Sequence, residues 1–152
     1  MQLEVVVAEA DFDSAELSRK LVAGDLDVGA VASFVGSVRA GLGDAAIDAM
    51  VLEHYPGMTE RSLRDIAQEA AVRWPLQGVS IYHRIGNMLP GEQIVYVGVA
   101  SRHRHAAFEA CEFVMDFLKT DAPFWKKEMK GGNGRWVDAR ESDREARERW
   151  LV

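Results

Sequence analysis

Two periodicities divide this chain. Residues 3–8 form a short apolar run that reads as a buried strand, and a helix over 13–23 follows, opened by Asp13 or Ser14 and closed near Gly24. A second strand spans 28–38. After it, Arg39-Ala40-Gly41-Leu42-Gly43-Asp44 breaks the pattern with two glycines, so 40–46 is expected to be a mobile loop and a candidate lid before a strand over 47–54. Tyr55-Pro56-Gly57 then turns the chain. Thr59 is the expected cap of a helix whose apolar positions Leu63, Ile66, Ala67, Ala70 and Trp74 recur at helical spacing until Pro75 ends it.

The second half starts with strand alternation. Val79, Ile81, His83 and Ile85 interleave with Ser80, Tyr82 and Arg84, and a Pro90-Gly91 turn leads into a strand over 94–100, so these two should pair as a hairpin. A helix over 103–120 places Ala107, Cys111, Val114 and Leu118 on one stripe with Phe108 and Met115 beside it. Residues 124–130 and 135–139 read as a second hairpin through Gly131-Gly132-Asn133-Gly134. Ser142-Asp143-Arg144-Glu145 has the form of a capping box opening a last charged helix. Strands and helices interspersed with two hairpins predict an α+β fold on a largely antiparallel sheet rather than a doubly wound parallel one.

Bulk properties narrow the function. With 152 residues, 48% of them hydrophobic, the chain can bury one core and is expected to form a single domain over 1–152. A net charge of -6 argues against nucleic acid and against anionic membrane as partners. No apolar run reaches 18 residues and the first residues carry no basic leader, so a soluble, cytoplasmic protein is expected. The single Cys111 fits a reducing compartment, and its place on an apolar stripe should leave it inert. No nucleophile elbow, phosphate-binding glycine loop or dinucleotide fingerprint occurs.

What remains is lysine and arginine chemistry. In Lys119-Thr120-Asp121-Ala122-Pro123-Phe124-Trp125-Lys126-Lys127-Glu128, Pro123 should stop the helix carrying Lys119 and send the chain back extended, bringing Lys126 towards Lys119. Two ammonium groups in a partly dry pocket lower each other's pKa, and a partly neutral lysine can act as base or nucleophile. Equally, Lys119 can simply complement a helix C-terminus and Lys126 lie on a solvated strand. Arg102-His103-Arg104-His105 follows a strand and opens a helix, where free N–H groups favour a phosphate or carboxylate, although a ligand-free basic turn fits too. Arg39, at the edge of the loop, and Arg140 could each clamp an anion or be ordinary surface arginines. His103 and His105 lack a third ligand at metal spacing, and His54 and His83 read as structural histidines.

Taken together, these segments resemble the large, catalytic subunits of molybdopterin synthase. The resemblance rests on Phe34-Val35-Gly36-Ser37-Val38-Arg39, Leu52-Glu53-His54-Tyr55-Pro56-Gly57-Met58-Thr59, His83-Arg84-Ile85-Gly86, Ser101-Arg102-His103-Arg104, Met115-Asp116-Phe117-Leu118-Lys119, Ala122-Pro123-Phe124-Trp125-Lys126-Lys127-Glu128 and Arg135-Trp136-Val137-Asp138-Ala139-Arg140-Glu141. It implies an α/β-hammerhead-type fold with an extra β-hairpin subdomain, and a homodimer flanked by two small ubiquitin-like sulfur-carrier subunits in a heterotetramer. The implied substrate is cyclic pyranopterin monophosphate, which receives two sulfurs from the carrier's C-terminal thiocarboxylate, with no metal and no cofactor. Lys119 then resembles the central catalytic lysine and Lys126 its partner. His103, Arg104, Arg39 and Arg140 resemble an anion-binding set around the pterin phosphate, Arg39 and Arg140 reaching across the dimer. Lys127 and Glu128 adjoin the pocket, Lys127 on the opposite strand face to Lys126. A non-catalytic module that binds a ubiquitin-like tail or a phosphorylated small molecule is the alternative.

Overall fold

The structure, a computed structural model, describes residues 1–138 and 140–151. Val152, the last residue of the expected domain, and Ala139, the expected end of the second hairpin, lie outside the described residues. Among the described residues, eight strands form two four-stranded sheets. The first has the order β1 (Gln2–Ala8), β4 (Leu76–Arg84), β6 (Gln93–Ser101), β2 (Ala30–Ser37), in which β1 and β4 run parallel and the other neighbours antiparallel. The second has the order β5 (Gly86–Met88), β3 (Ala49–His54), β7 (Phe124–Lys130), β8 (Asn133–Val137) and is antiparallel throughout.

Helices cover both faces of the first sheet. α2 (Met58–Arg73) and α3 (Arg104–Asp121) pack on one face, and α1 (Ser14–Val22) on the other. Ser80 is therefore as buried as its neighbours Val79 and Ile81, and the alternation in β4 is one of two covered faces rather than of core and solvent. The main core joins Leu63, Ile66, Val79, Ile81, Val97, Val99, Phe113 and Val114. A smaller cluster of Val38, Met50, Leu52 and Met88 underlies the second sheet, and Ile94 and Phe124 pack against both. No helix among the described residues is long and apolar enough to cross a membrane.

The mixed α+β architecture agrees with expectation, and several local details differ. β4 and β6 pair antiparallel as expected, but the chain between them first detours through β5, which joins the other sheet. The second hairpin closes through two residues, Gly131 and Gly132, whose φ values of 57° and 81° suit a tight primed turn. β8 therefore begins at Asn133, two residues earlier than expected. The extra hairpin is thus half of a complete second sheet.

Two caps also differ. Thr59 lies inside the first turn of α2, where Gly57 precedes the helix with φ 86° and the Glu60 carboxylate accepts the Gly57 N–H at 3.0 Å. Arg140, not Ser142, occupies the N-cap of α4 (Glu141–Glu148), and Glu141 and Asp143 complement the helix dipole in its first turn. Along α3, Phe108 faces solvent and Phe113 is buried instead, because Trp74 and Trp150 converge on Phe113 edge-on at 5.4 and 5.6 Å. Trp74 lies one residue past α2, in the extended conformation that Pro75 imposes.

Candidate active site

The proline turn works as its sequence predicts. α3 ends at Asp121, Ala122 is extended at φ -79° and ψ 131°, and β7 starts at Phe124. Lys126 pairs with Leu52 on β3 and Val137 on β8, in the middle of the second sheet. Strand alternation turns Phe124, Lys126 and Glu128 to one face and Trp125, Lys127 and Met129 to the other.

Lys126 is half-buried and Lys119 exposed. Burial pulls the Lys126 pKa below the ordinary lysine value, and the Lys119 ammonium and Arg140 push it the same way, against the opposing carboxylates of Glu128 and Asp143. The structure therefore brings Lys119, Lys126, Glu128 and Arg140 into one electrostatic neighbourhood of a single chain. Glu128 is shared, since its carboxylate also accepts from Arg135 at 3.2 Å.

Beside the lysines lies a cavity of about 900 Å³ whose wall includes Arg39, Glu128, Lys130, Arg135, Arg140 and the 40–46 loop. Its lining includes neither lysine. Arg39 is held at the rim because Val38 before it is buried, donates to the Glu92 carbonyl at 2.9 Å and accepts the Gly91 N–H at 2.8 Å. The loop is tied down at its base, where the Ile47 N–H meets the Ala40 carbonyl at 2.8 Å and Lys130 Nζ donates to the Asp44 carbonyl at 2.6 Å. Leu42 projects from its tip, 90% exposed. Three arginines and a lysine around one opening suit a phosphate.

Other expected residues are elsewhere. His103 is the N-cap residue of α3 and Arg104 its first residue, so fifteen residues of helix, about 22 Å, separate Arg104 from Lys119. Within one chain they do not converge. Lys127 lies on the outer face, its Nζ 5.4 Å from the centre of the Trp136 ring. Its stem crosses β8 at Gly134, where a Cβ would come within 2.1 Å of Lys127 Cε. Cys111 is buried, and desolvation, reinforced by Glu112, pushes its thiol up to about 11. No group of three metal-ligating side chains occurs among the described residues.

Two residues near the lysines escaped the sequence reading as site residues. His83 is buried, its ring stacked on Phe124 with centroids 3.9 Å apart, and Thr59 reaches Pro123 from α2. The strand pattern revealed only that His83 faces the core. Their proximity to the lysine turn depends on which elements pack together.

Fold and site together define an α+β protein with a lysine pair near a cavity lined by Arg39, Arg135 and Arg140. The chain belongs to the MoaE protein family, which matches residues 7–121, and so to the catalytic subunits of molybdopterin synthase, enzymes of molybdenum-cofactor biosynthesis. It is 54% identical over 151 residues to the molybdopterin synthase catalytic subunit of Vibrio cholerae, covering 99% of each chain. A solved structure of the molybdopterin biosynthesis MoaE protein from Burkholderia ambifaria superposes with TM-score 0.85 at 49% identity, covering 100% of this chain and 99% of that one. The fold also matches a chain in a complex of subunits 1 and 2 of molybdopterin-converting factor from Helicobacter pylori, with TM-score 0.70 at 22% identity over 91% of each.

Proposed function

We propose that this chain is the sulfurtransferase subunit that converts cyclic pyranopterin monophosphate to molybdopterin, acting as a single cytoplasmic domain. The sulfurs come from the thiocarboxylated C-terminus of a small ubiquitin-like carrier, the counterpart of the other subunit in the Helicobacter pylori complex. One observation carries the reading: Lys126 is half-buried in the second sheet within reach of the Lys119 and Arg140 charges, and burial first and those charges next lower its pKa below that of an ordinary lysine. Such a pair can take a proton from the water that attacks the carrier's acyl carbon, releasing the carrier as a carboxylate, and return a proton to the sulfur left on the pterin as the C–S bond breaks. Arg39 and Arg140 hold the phosphate at the cavity rim and stabilise charge as the cyclic phosphate opens. The inert Cys111 agrees with sulfur arriving from outside the chain.

His103 and Arg104 take part through the homodimer. Standing at the far end of α3, they reach the pterin phosphate of the second copy rather than their own. Arg140, expected like Arg39 to serve the partner copy, also lies near enough to Lys126 of its own chain to lower that lysine's pKa. Glu128 favours the charged form of Lys126, and Lys127 serves the rim of the carrier site from the outer face. The deciding experiment is a purified assay with thiocarboxylated carrier and the cyclic pterin, comparing wild type with Lys119→Ala. Loss of molybdopterin formation is expected, and undiminished formation would remove Lys119 from the mechanism.

A further inference from the structure

The turn between the two lysines is held by residues from two other elements. Thr59, fully buried in the first turn of α2, donates its hydroxyl to the Pro123 carbonyl at 2.9 Å and accepts the Tyr55 N–H at 2.9 Å. It does not cap α2, a task that falls to Glu60. From β4, His83 lays its imidazole on the Phe124 ring at 3.9 Å and 21°. Its Nδ1 donates to the Arg84 carbonyl at 2.8 Å, which fixes the plane of the ring. Pro123 is thus gripped through its carbonyl and Phe124 through its ring.

We propose that Thr59 and His83 are positioning residues that set the separation of Lys119 and Lys126 by fixing Pro123 and Phe124 between them. The inference rests on the reading of these lysines as the working pair. Only the end of α3, two turn residues and the first residues of β7 join the two ammonium groups. A shift at the Pro123 carbonyl therefore displaces the start of β7 against the end of α3, and a misplacement of about 1 Å at reacting groups can cost up to ~100-fold in rate.

The test compares Thr59→Val, which keeps the shape and removes the hydroxyl, with Thr59→Ser, which keeps the bond. In the purified assay with thiocarboxylated carrier, Thr59→Val should lower kcat about tenfold with KM for the pterin within about twofold, and Thr59→Ser should restore most of kcat. A second readout needs no turnover: the pH dependence of Lys126 acetylation, resolved by mass spectrometry. Lys126 faces Lys119 from α3, Glu128 on its own strand, and Arg140 and Asp143 from the C-terminal segment. Separation from Lys119 should move its midpoint up towards the ordinary lysine value. His83→Phe keeps a flat ring on Phe124 and should resemble wild type, whereas His83→Leu should resemble Thr59→Val; this pair decides the matter if Thr59→Val does not fold. Wild-type kcat and an unchanged acetylation profile in Thr59→Val and His83→Leu overturn the proposal. An active Lys119→Ala would instead sink the functional reading, leaving the acetylation profile to judge the positioning.

Discussion

The Asp121 carboxylate grips Arg147 with both oxygens, Oδ1 accepting from Nε at 2.6 Å and Oδ2 from Nη2 at 3.2 Å. Asp121 is the last residue of the helix that carries Lys119, and Arg147 belongs to α4, whose N-cap is Arg140. α4 buries no residue of its own, so this fork, the Arg149 bridges to Glu112 and Asp116, and Trp150 on Trp74 and Phe113 hold it in place. Both partners are about one-third exposed. A double-mutant cycle of Asp121→Ala and Arg147→Ala, followed by thermal melts, should give a coupling of about 0.5–1 kcal/mol that shrinks in 1 M salt. Arg147→Ala should also raise KM for the pterin more than it lowers kcat. Equal losses in the two parameters would uncouple α4 from substrate binding.

If Lys126 acts as a base, kcat/KM should climb with pH through an inflection below the ordinary lysine value of 10.5. Glu128 favours the protonated lysine, so Glu128→Gln should move that inflection to still lower pH. An inflection that stays put in Glu128→Gln, or survives in Lys126→Arg, would assign the ionisation to another group.

His83 makes stability depend on pH. Burial lowers its pKa from 6.5 to about 4, with the nearby Lys119 and His54 charges acting in the same direction. Because the folded value lies below the unfolded one, the unfolded chain binds the extra proton between them. Stability is complete above about pH 6.5 and falls as the pH drops towards 4, by up to about 3 kcal/mol. Urea melts across that window should show the decline, and His83→Phe should flatten it. Asp11, whose carboxyl is held below its usual 3.8 chiefly by Gln93, contributes only at lower pH.

Gly98→Ala should be among the most damaging single substitutions in the first sheet. Tyr96 is fully buried and lies across Gly98 to place its hydroxyl 2.9 Å from that of Ser18 on α1. A Cβ at position 98 would stand 2.2 Å from the Tyr96 hydroxyl oxygen and 2.7 Å from Leu21 Cδ1. The ring and α1 would both have to shift, at a cost of about 1–3 kcal/mol. A denaturation midpoint matching wild type would show that the helix gives way freely.

Local rules along the chain already set much of this protein. Pro123 stops α3 because its ring excludes helix at Ala122, Asp13 caps α1 through the N–H groups of Ala15 and Glu16, and the 124–130 strand falls where Pro123 and the glycine turn of the hairpin placed it. Nearest neighbours along the chain decide these features. The lysine pair was legible for the same reason, since a short turn joins its members. Tertiary structure alone decided what meets across elements. Phe113 rather than Phe108 is buried because Trp74 and Trp150 arrive there, Thr59 spends its hydroxyl on Pro123 rather than on its own helix, and Lys127 turns outward onto Trp136. His103 and Arg104 share a helix with Lys119 yet stand at its opposite end, because a helix converts sequence distance into length rather than into proximity.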